Sequence, residues 1–343
     1  MKNPKHILER LLTGYQVTQL IYVAAKLGIP DLLKGGPRSS SALARAVGAH
    51  PKSLYRVLRT LSVLGIFSEK PNAHFALTRL SRLLTKNNPE SLRPLIVSYG
   101  ESWWWQAYGR TMDAVRTGKP AFRRVHGMGF FDFLSKNPQA ASVFQANMSA
   151  TASEEARAVL KIYDFTHVNL LIDVGGGHGT FVSEILKAHP PLRAILVEHP
   201  SVLAQARKYL KKAGIERRCD LVSGDFFKSI PRKGDLYTLK DIVHDWDNDR
   251  AIAILRTCRR AMPDNAKLLL IERVIKKRRP PLDHVLVDIS MLVLTGGMER
   301  TDAQYRALLK AAGFRTTRIL PTTVGASVIE AVPSPSGMKT FRS

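Results

Sequence analysis

One histidine and two glutamates, far apart along the chain, have the side chains that general base catalysis requires. His244 lies in the run His-Asp-Trp, Glu272 ends an apolar run, and Glu299 lies in the run Gly-Gly-Met-Glu-Arg-Thr. An imidazole accepts a proton near neutral pH, and a neighbouring carboxylate orients the ring and stabilises its protonated form. We therefore predict that these three residues form a catalytic set.

A glycine-rich turn predicts a binding site for a nucleotide-like cofactor. The apolar run 170–174 leads into Gly-Gly-Gly-His-Gly, and glycines at such a turn let the backbone approach a ligand closely. The spacing Gly175-x-Gly177-x-Gly179 differs from the Gly-x-Gly-x-x-Gly of dinucleotide-binding dehydrogenases. An NAD-dependent dehydrogenase is an alternative that this spacing disfavours.

Polar residues at the ends of the next two predicted strands strengthen the cofactor prediction. Glu198 ends the second strand, where a carboxylate can accept hydrogen bonds from both ribose hydroxyls. Gly224, Asp225 and Phe226 follow the third strand, which places an acceptor for an adenine amino group beside an aromatic face. All of these positions fall at the carboxyl ends of strands, where open α/β sheets hold their ligands.

The elements that must position these residues alternate between strand and helix patterns over residues 169–332. Such alternation predicts a mainly parallel sheet covered by helices. The last two predicted strands, 314–320 and 326–332, have a short connection that favours an antiparallel hairpin. Residues 333–343 are rich in Pro, Ser and Gly, and we predict a flexible tail there.

Two further zones precede this one. Residues 1–95 predict a long helix at 7–27, two shorter helices and a hairpin, which is the pattern of a winged helix. Residues 96–168 predict helices and carry many aromatic and methionine side chains. Such side chains usually pack in a core, and as a group they can also wall a pocket for a flat ligand.

The formal net charge of +24 is unusually high for a chain of 343 residues. The charge is spread along the chain, which is typical of a solubility effect or an acidic partner. A basic winged helix also fits a DNA-binding regulator, with Lys52, Arg56 and Arg59 on the polar side of one helix. That hypothesis leaves residues 169–332 unexplained, so we regard nucleic acid as a disfavoured partner.

Several sequence features bear on location and on metals. No apolar run approaches the roughly 18 residues of a membrane span, and the first residues lack the pattern of a signal peptide. With only Cys219 and Cys258, we expect a cytoplasmic protein with unpaired thiols. The sequence shows no compact histidine and carboxylate cluster with ligand spacing, so no metal site is predicted.

Four runs, in this order, resemble the plant-type and bacterial small-molecule O-methyltransferases, such as caffeic acid and acetylserotonin O-methyltransferases. They are Asp-Val-Gly-Gly-Gly-x-Gly, Gly-Asp-Phe-Phe, His-Asp-Trp and Gly-Gly-x-Glu-Arg-Thr, and the resemblance covers about residues 7–332. It implies a Rossmann-like class I methyltransferase domain with a mixed seven-stranded sheet, after an α-helical, winged-helix-like dimerisation domain. It also implies S-adenosylmethionine as the methyl donor, S-adenosylhomocysteine as its product, and a homodimer.

The resemblance implies a role for each matching residue. His244 corresponds to the general base, and Glu272 and Glu299 to the carboxylates that bracket it. The implied cofactor contacts are Gly175, Glu198, Gly224, Asp225, Phe226 and Lys240. The implied substrate pocket contains Phe144, Met148 and Met291.

The sequence departs from the lignin-pathway members at three positions. Thr151, Ala152 and Asp241 stand where those enzymes have His, Ser and Trp, so their substrates are not carried over. N-methylation, and non-methylating chemistry on the same cofactor loop, are alternatives within the family. The three candidate catalytic residues favour methylation of a hydroxyl on a small, aromatic molecule.

Overall fold

The chain divides into two compact units, Met1–Gln106 and Ala107–Ser343. This computed structural model describes residues 3–335. The predicted flexible tail at 333–343 therefore lies outside the described residues from position 336 onward. No helix within 3–335 has both the length and the apolar character needed to cross a lipid bilayer.

The first unit is mainly helical and contains one small sheet. Its helices are α1 (Pro4–Leu12), α2 (Gly14–Lys26), α3 (Ile29–Leu32), α4 (Ser40–Val47), α5 (Pro51–Val63), α6 (Arg79–Arg82), α7 (Arg93–Gly100) and α8 (Ser102–Tyr108), the last of which runs into the second unit. Its strands are β1 (Arg38–Ser39), β2 (Phe67–Lys70) and β3 (His74–Leu77). Strand β3 pairs antiparallel with both β2 and β1, so the predicted hairpin is present.

The single helix predicted at 7–27 is wrong, because the structure contains two helices, α1 and α2. Thr13 ends α1, and its hydroxyl donates a hydrogen bond to the carbonyl of Arg10 at 2.9 Å. Gly14, a poor helix former, begins α2. The apolar pattern continues across this break, which explains why periodicity alone did not detect it.

The second unit consists of a seven-stranded sheet covered by helices. Its remaining helices are α9 (Thr111–Thr117), α10 (Ala121–His126), α11 (Phe130–Lys136), α12 (Pro138–Leu160), α13 (Thr180–Ala188), α14 (Pro200–Lys212), α15 (Asn248–Ala261), α16 (Leu282–Leu294) and α17 (Asp302–Ala311). Its strands are β4 (Leu170–Val174), β5 (Arg193–Glu198), β6 (Cys219–Ser223), β7 (Leu236–Lys240), β8 (Lys267–Arg273), β9 (Phe314–Pro321) and β10 (Ala326–Pro333). A short 3₁₀ turn, Val243–Asp245, follows β7.

The strand order is β6-β5-β4-β7-β8-β10-β9. Strands β4 to β8 pair in parallel, whereas β10 pairs antiparallel with both β8 and β9. The predicted fold class, a mixed seven-stranded sheet covered by helices with a closing antiparallel hairpin, is confirmed. Because β4 to β8 run in the same direction, the loops that follow them all meet at one edge of the sheet.

The core of the second unit consists of two apolar clusters. Alternate residues of one strand join different clusters: Leu171 packs with Phe181 and Leu186, and Ile172 packs with Leu255. Since successive side chains of a strand point to opposite faces, the two clusters cover the two faces of the sheet. This burial holds the carboxyl ends of the strands in fixed positions.

Candidate active site

The three predicted catalytic residues lie together at the carboxyl edge of the sheet. His244 lies in the 3₁₀ turn after β7, Glu272 lies near the end of β8, and Glu299 lies between α16 and α17. The Nδ1 atom of His244 is 2.7 Å from Oε1 of Glu299 and 3.6 Å from Oε2 of Glu272. All three residues are buried.

Glu272 holds the backbone of the 3₁₀ turn Val243–Asp245, which we call the histidine turn. Its Oε1 atom accepts hydrogen bonds from the backbone N–H groups of Ile242 at 3.1 Å and Val243 at 2.7 Å. A carboxylate that accepts two backbone donors fixes the turn more firmly than a neutral acceptor would. Glu272 therefore both faces the imidazole and positions the residues that precede it.

The Gly-Gly-Met-Glu-Arg-Thr run closes around the histidine turn from the other side. The backbone N–H of Met298 donates to the carbonyl of His244 at 2.8 Å. A Cβ atom at Gly297 would lie 1.9 Å from that same carbonyl oxygen. Only glycine leaves room for this approach, which explains its place beside Glu299.

Arg300 completes the enclosure of this turn, and sequence reasoning assigned it no role. Its guanidinium donates to the carbonyl of Val243 at 2.9 Å and to the carbonyl of Trp246 at 2.8 Å. These bonds span His244 on both sides, and the residue is only 1% exposed. A sequence does not show whether an arginine is buried or exposed. The position of Arg300 directly after Glu299 is the feature of the sequence that could have indicated its role.

Burial and charge act in opposite directions on the imidazole. Burial alone would lower the pKa of His244, but the carboxylates of Glu299, Glu272 and Asp245 raise it well above its ordinary value of 6.5. Burial raises the pKa of Glu272 to about 8 and that of Asp245 to about 7. His244, Glu272 and Asp245 therefore each hold a proton more tightly than they would in water.

The sequence shows no histidine and carboxylate cluster with ligand spacing, but the fold brings one such group together in space. Within residues 3–335, ligand atoms of Asp241, His244 and Glu272 lie within 4.8 Å of one another. These side chains already have partners: Glu299 on the imidazole, backbone N–H groups on Glu272, and Arg273 on Asp241 at 3.3 Å. The donors are thus engaged in protein contacts, and we assign no metal to them.

The glycine-rich turn follows β4 at the same edge of the sheet. Gly175, Gly177 and Gly179 all have positive φ, at 71°, 59° and 81°. A Cβ atom at Gly175 would lie 2.5 Å from Cδ1 of Ile242. Positive φ favours glycine at all three positions, and glycines leave the backbone groups of the turn uncovered by side chains of their own.

Glu198 faces this turn from the end of β5. Its Oε2 atom accepts the backbone N–H of Gly177 at 2.9 Å, and its Oε1 atom accepts the backbone N–H of His199 at 2.7 Å. A carboxylate has about four lone-pair positions, so each oxygen retains one for a ligand hydroxyl. Burial raises the pKa of Glu198, and these two backbone hydrogen bonds oppose that rise.

The run from Gly224 to Phe226 follows β6, next to Glu198. The backbone N–H of Gly224 donates to the carbonyl of Glu198 at 3.1 Å. The Oδ1 atom of Asp225 accepts the backbone N–H of Phe227 at 3.0 Å, and the Asp225 side chain is 46% exposed. Asp225 therefore retains acceptor capacity beside the aromatic ring of Phe226.

Lys240, a further predicted cofactor contact, is surrounded by carboxylates. Its Nζ atom lies 2.6 Å from Oε2 of Glu155 and also contacts Asp241. Burial alone would lower the pKa of Lys240, but the charges of Asp241 and Glu155 raise it, so its ammonium group stays charged. Sequence reasoning found Lys240 and missed Glu155, because nothing in the helical sequence distinguishes it from the exposed Glu154.

The residues predicted to form a substrate pocket lie on two helices. Phe144 and Met148 lie one turn apart on α12 and are half-buried, whereas Met291 lies on α16 and is buried. A series of ring contacts runs from α12 to the histidine turn. Phe144 packs on Phe130 at 5.2 Å between ring centroids, and Phe131 stacks on Trp246 at 5.9 Å.

A sheet of this topology, with a glycine-rich turn after its first strand and a buried histidine–carboxylate cluster at the same edge, defines a class I methyltransferase. Residues 108–315 match the O-methyltransferase domain, and residues 9–87 match the O-methyltransferase dimerisation domain. The chain belongs to this family of S-adenosylmethionine-dependent small-molecule methyltransferases.

Relatives in the family methylate both oxygen and nitrogen. The chain is 42% identical to a phenazine O-methyltransferase of Lysobacter antibioticus, over 95% of this chain and 96% of that one. It is 37% identical to an 8-amino-8-demethylriboflavin N,N-dimethyltransferase of Streptomyces davaonensis, over 92% of this chain and 91% of that one. Membership of the family therefore does not decide whether oxygen or nitrogen accepts the methyl group.

Two solved structures show the same fold over nearly the whole chain. The crystal structure of LaPhzM has a TM-score of 0.93 at 41% identity and covers 96% of this chain and 99% of that one. Human N-acetylserotonin methyltransferase in complex with S-adenosylmethionine has a TM-score of 0.90 at 27% identity, with 97% and 99% covered.

Proposed function

We propose that the protein transfers a methyl group from S-adenosylmethionine to a hydroxyl of a small, aromatic molecule, with His244 as the general base. The observation that carries this proposal is the buried contact of 2.7 Å between Nδ1 of His244 and Glu299. In the neutral ring, with Nδ1–H donating to that carboxylate, Nε2 carries the lone pair that accepts a proton.

The residues around the glycine-rich turn fit the cofactor. We assign its ribose hydroxyls to Glu198, whose two oxygens retain acceptor capacity, and its adenine to Asp225 and Phe226. Gly175 and Gly224 pack so closely on Ile242 and Val197 that a Cβ atom at either position would collide with them, which favours glycine in these two loops. When bound, S-adenosylmethionine supplies a methyl group on a positively charged sulfur, already activated for transfer.

The chain's own contribution is to activate the nucleophile of the acceptor and to align it. A phenolic hydroxyl is a weak nucleophile until its proton is removed, and His244 accepts that proton at Nε2. Glu299 stabilises the resulting imidazolium, while Glu272 and Arg300 hold the histidine turn in place. Phe144, with Met148 and Met291, supplies apolar surface for a flat acceptor.

The His244→Ala variant tests this assignment. We expect kcat for a phenol to fall by about 10² to 10⁴-fold, while calorimetry gives a Kd for S-adenosylmethionine close to the wild-type value. Added imidazole should restore part of the lost rate, because a small base can enter the space left by the side chain. His74→Ala, in the first unit, is the matched control and should keep full activity.

Methylation of an amine is the second candidate, favoured by the N,N-dimethyltransferase relative. An arylamine already has a nucleophilic lone pair and needs no base before attack, so loss of His244 should affect it much less than it affects a phenol. Matched phenol and aniline acceptors, with products identified by mass spectrometry, separate the two cases. Equal methylation of the phenol by wild type and His244→Ala would remove the general base proposal.

A further inference from the structure

Four charged side chains at the ends of β7 and β8 and on α12 form a closed ring, which we call the ion ring. Glu155 lies 2.6 Å from Lys240 and 3.5 Å from Arg273, between the nearest oxygen and nitrogen atoms. Asp241 lies 3.3 Å from Arg273 and also contacts Lys240. Each carboxylate thus faces both cations, and the ring carries no net charge.

The ion ring is almost completely removed from solvent. The side chain of Glu155 is 2% exposed, and those of Lys240, Asp241 and Arg273 are 8%, 10% and 16% exposed. Burying four ions costs a large desolvation free energy, so such arrangements seldom add net stability over apolar residues of similar size. We therefore look for the contribution of the ion ring in the geometry that it enforces and not in net stability.

The members of the ring join three separate elements. Lys240 ends β7, four residues before His244, and Arg273 directly follows Glu272 at the end of β8. Glu155 lies on α12, seven residues after Met148 and eleven after Phe144. At 3.6 residues per turn, these spacings place Phe144, Met148 and Glu155 on one face of that helix. The ring therefore connects the pocket face of α12 to the two strand ends that carry the base and its carboxylate.

We propose that the ion ring is a positioning device that sets the acceptor-binding face of α12 relative to His244, with Glu155 as its positioning residue. Loss of Glu155 leaves α12 folded but frees its pocket face to move against the strand ends. The acceptor atom then lies in a less favourable alignment relative to His244. This inference rests on the proposed location of the pocket on α12, and it is independent of whether the acceptor atom is oxygen or nitrogen.

Glu155 is the member to change. Burial, followed by the charge of Asp241, raises the pKa of Glu155, whereas Lys240 and Arg273 lower it; for Asp241 the two cations outweigh burial and hold its pKa well below 3.8. Glu155 is thus the less firmly charged of the two acids, and Glu155→Gln keeps its size. Glu154→Gln is the matched control, one residue earlier on the same helix and exposed.

We expect Glu155→Gln to raise KM for the acceptor and lower kcat, with a combined loss of about 10 to 100-fold in kcat/KM. The Kd of S-adenosylmethionine, measured by calorimetry, should stay near the wild-type value. Hydrogen exchange of the amides at 142–150 in the free protein should be faster by about fivefold or more. Glu154→Gln should match wild type in all of these measurements.

A merely structural role predicts a different result, in which Glu155→Gln lowers the melting temperature but leaves kcat and KM per binding-competent site unchanged. That result, or unchanged exchange at 142–150, would overturn the proposal. If Glu155→Gln does not fold, the charge-balanced double variant Glu155→Gln with Arg273→Gln keeps the Lys240–Asp241 pair and gives the same readouts. The acceptor is whichever compound wild type methylates, so failure of the general base proposal would be seen separately in His244→Ala.

Discussion

At the scale of single residues, the His244 cluster joins one imidazole to an excess of carboxylates. Glu299 and Glu272 both face Nδ1, and Asp245 lies 3.9 Å from Nε2. Each carboxylate favours the imidazolium, so the histidine is a stronger base than free imidazole and is protonated over a wider pH range. The proton-accepting form therefore becomes available only as pH rises past the raised pKa of His244.

The Glu299→Gln variant tests this electrostatic effect. In wild type, kcat/KM for a phenol should increase with pH along a limb that lies above the ordinary histidine pKa of 6.5. Removing the charge of Glu299 lowers the pKa of His244, so the limb should move to lower pH, by about one unit. The maximal rate should fall, because the imidazolium loses its stabilising carboxylate.

The pH profiles of wild type and variant are compared with the same phenol, so that ionisation of the acceptor cancels. Glu216→Gln, at an exposed position, is the control and should leave the limb in place. A limb that stays fixed, or moves to higher pH, in Glu299→Gln would contradict the role assigned to Glu299.

The sequence predicted some residues of this cluster and missed others for a physical reason. His244, Glu272 and Glu299 belong to short runs at the ends of predicted strands and loops, and the structure brings them together. The missed residues, Arg300 beside this cluster and Glu155 in the ion ring, are buried charged side chains. Burial of a charged side chain depends on partners that are distant in the sequence. No local pattern in the chain encodes those partners.

At the scale of elements, one carboxylate ties the closing hairpin β9–β10 to the segment that follows α12, in addition to the pairing of β10 with β8. Glu330 on β10 accepts hydrogen bonds from the hydroxyls of Tyr163 at 2.8 Å and Thr317 at 2.6 Å, and from the guanidinium of Arg318. Burial alone would raise the pKa of Glu330, but Thr317, Arg318 and Tyr163 together lower it to about 2, from an ordinary value of 4.5.

This pKa shift predicts a pH-dependent contribution to stability. Because the folded-state pKa is below the unfolded one, the contribution is fully present above pH 4.5 and is lost as pH falls from 4.5 toward 2. Glu330→Gln should lower the free energy of unfolding by about 2 kcal/mol at pH 7. The difference between wild type and variant should shrink through that acidic window.

Urea denaturation at a series of pH values measures this difference. Asp264→Asn is the control, because its ion pair with Arg259 is highly exposed on the Asp264 side and should contribute less than about 1 kcal/mol. A Glu330→Gln difference that is the same at every pH would show that packing, and not the charge, accounts for the effect.

The prediction of elements succeeded for the buried strands of the sheet and failed for one helix that is apolar along most of its length. Strands β4, β5 and β8 were placed within about two residues, because they are continuous apolar runs between turns. Helix α16 (Leu282–Leu294) was not predicted. Its residues are apolar on nearly every side, so it has no polar face to reveal a helical period.

At the scale of the whole molecule, the match of residues 9–87 to a dimerisation domain supports a homodimer. Helix α1 presents a group of exposed apolar side chains, which is unusual at the surface of a monomer. These side chains are Ile7, Leu8, Leu11, Leu12 and, just beyond the helix, Tyr15. We expect them to be covered by a second copy of the chain.

Replacing both Leu11 and Leu12 by Glu should shift the protein from dimer toward monomer. Their side chains are among the most exposed apolar groups in the described chain, at 70% and 74%, and charge at these positions opposes their burial in an interface. Sedimentation velocity measures the change. Arg10→Glu alters charge on the same helix without touching its apolar side, and it should stay dimeric; a double variant that also stays dimeric would exclude α1 from the interface.

The fold shields both cysteines from reagents in solution. Cys219 and Cys258 are unpaired and buried, and burial raises the pKa of both thiols to about 12. Since the thiolate is the form that reacts with peroxides and disulfides, neither sulfur is a target in the folded state. Reaction of either thiol therefore requires local opening of β6 or α15, so the rate of thiol labelling under native conditions measures that opening.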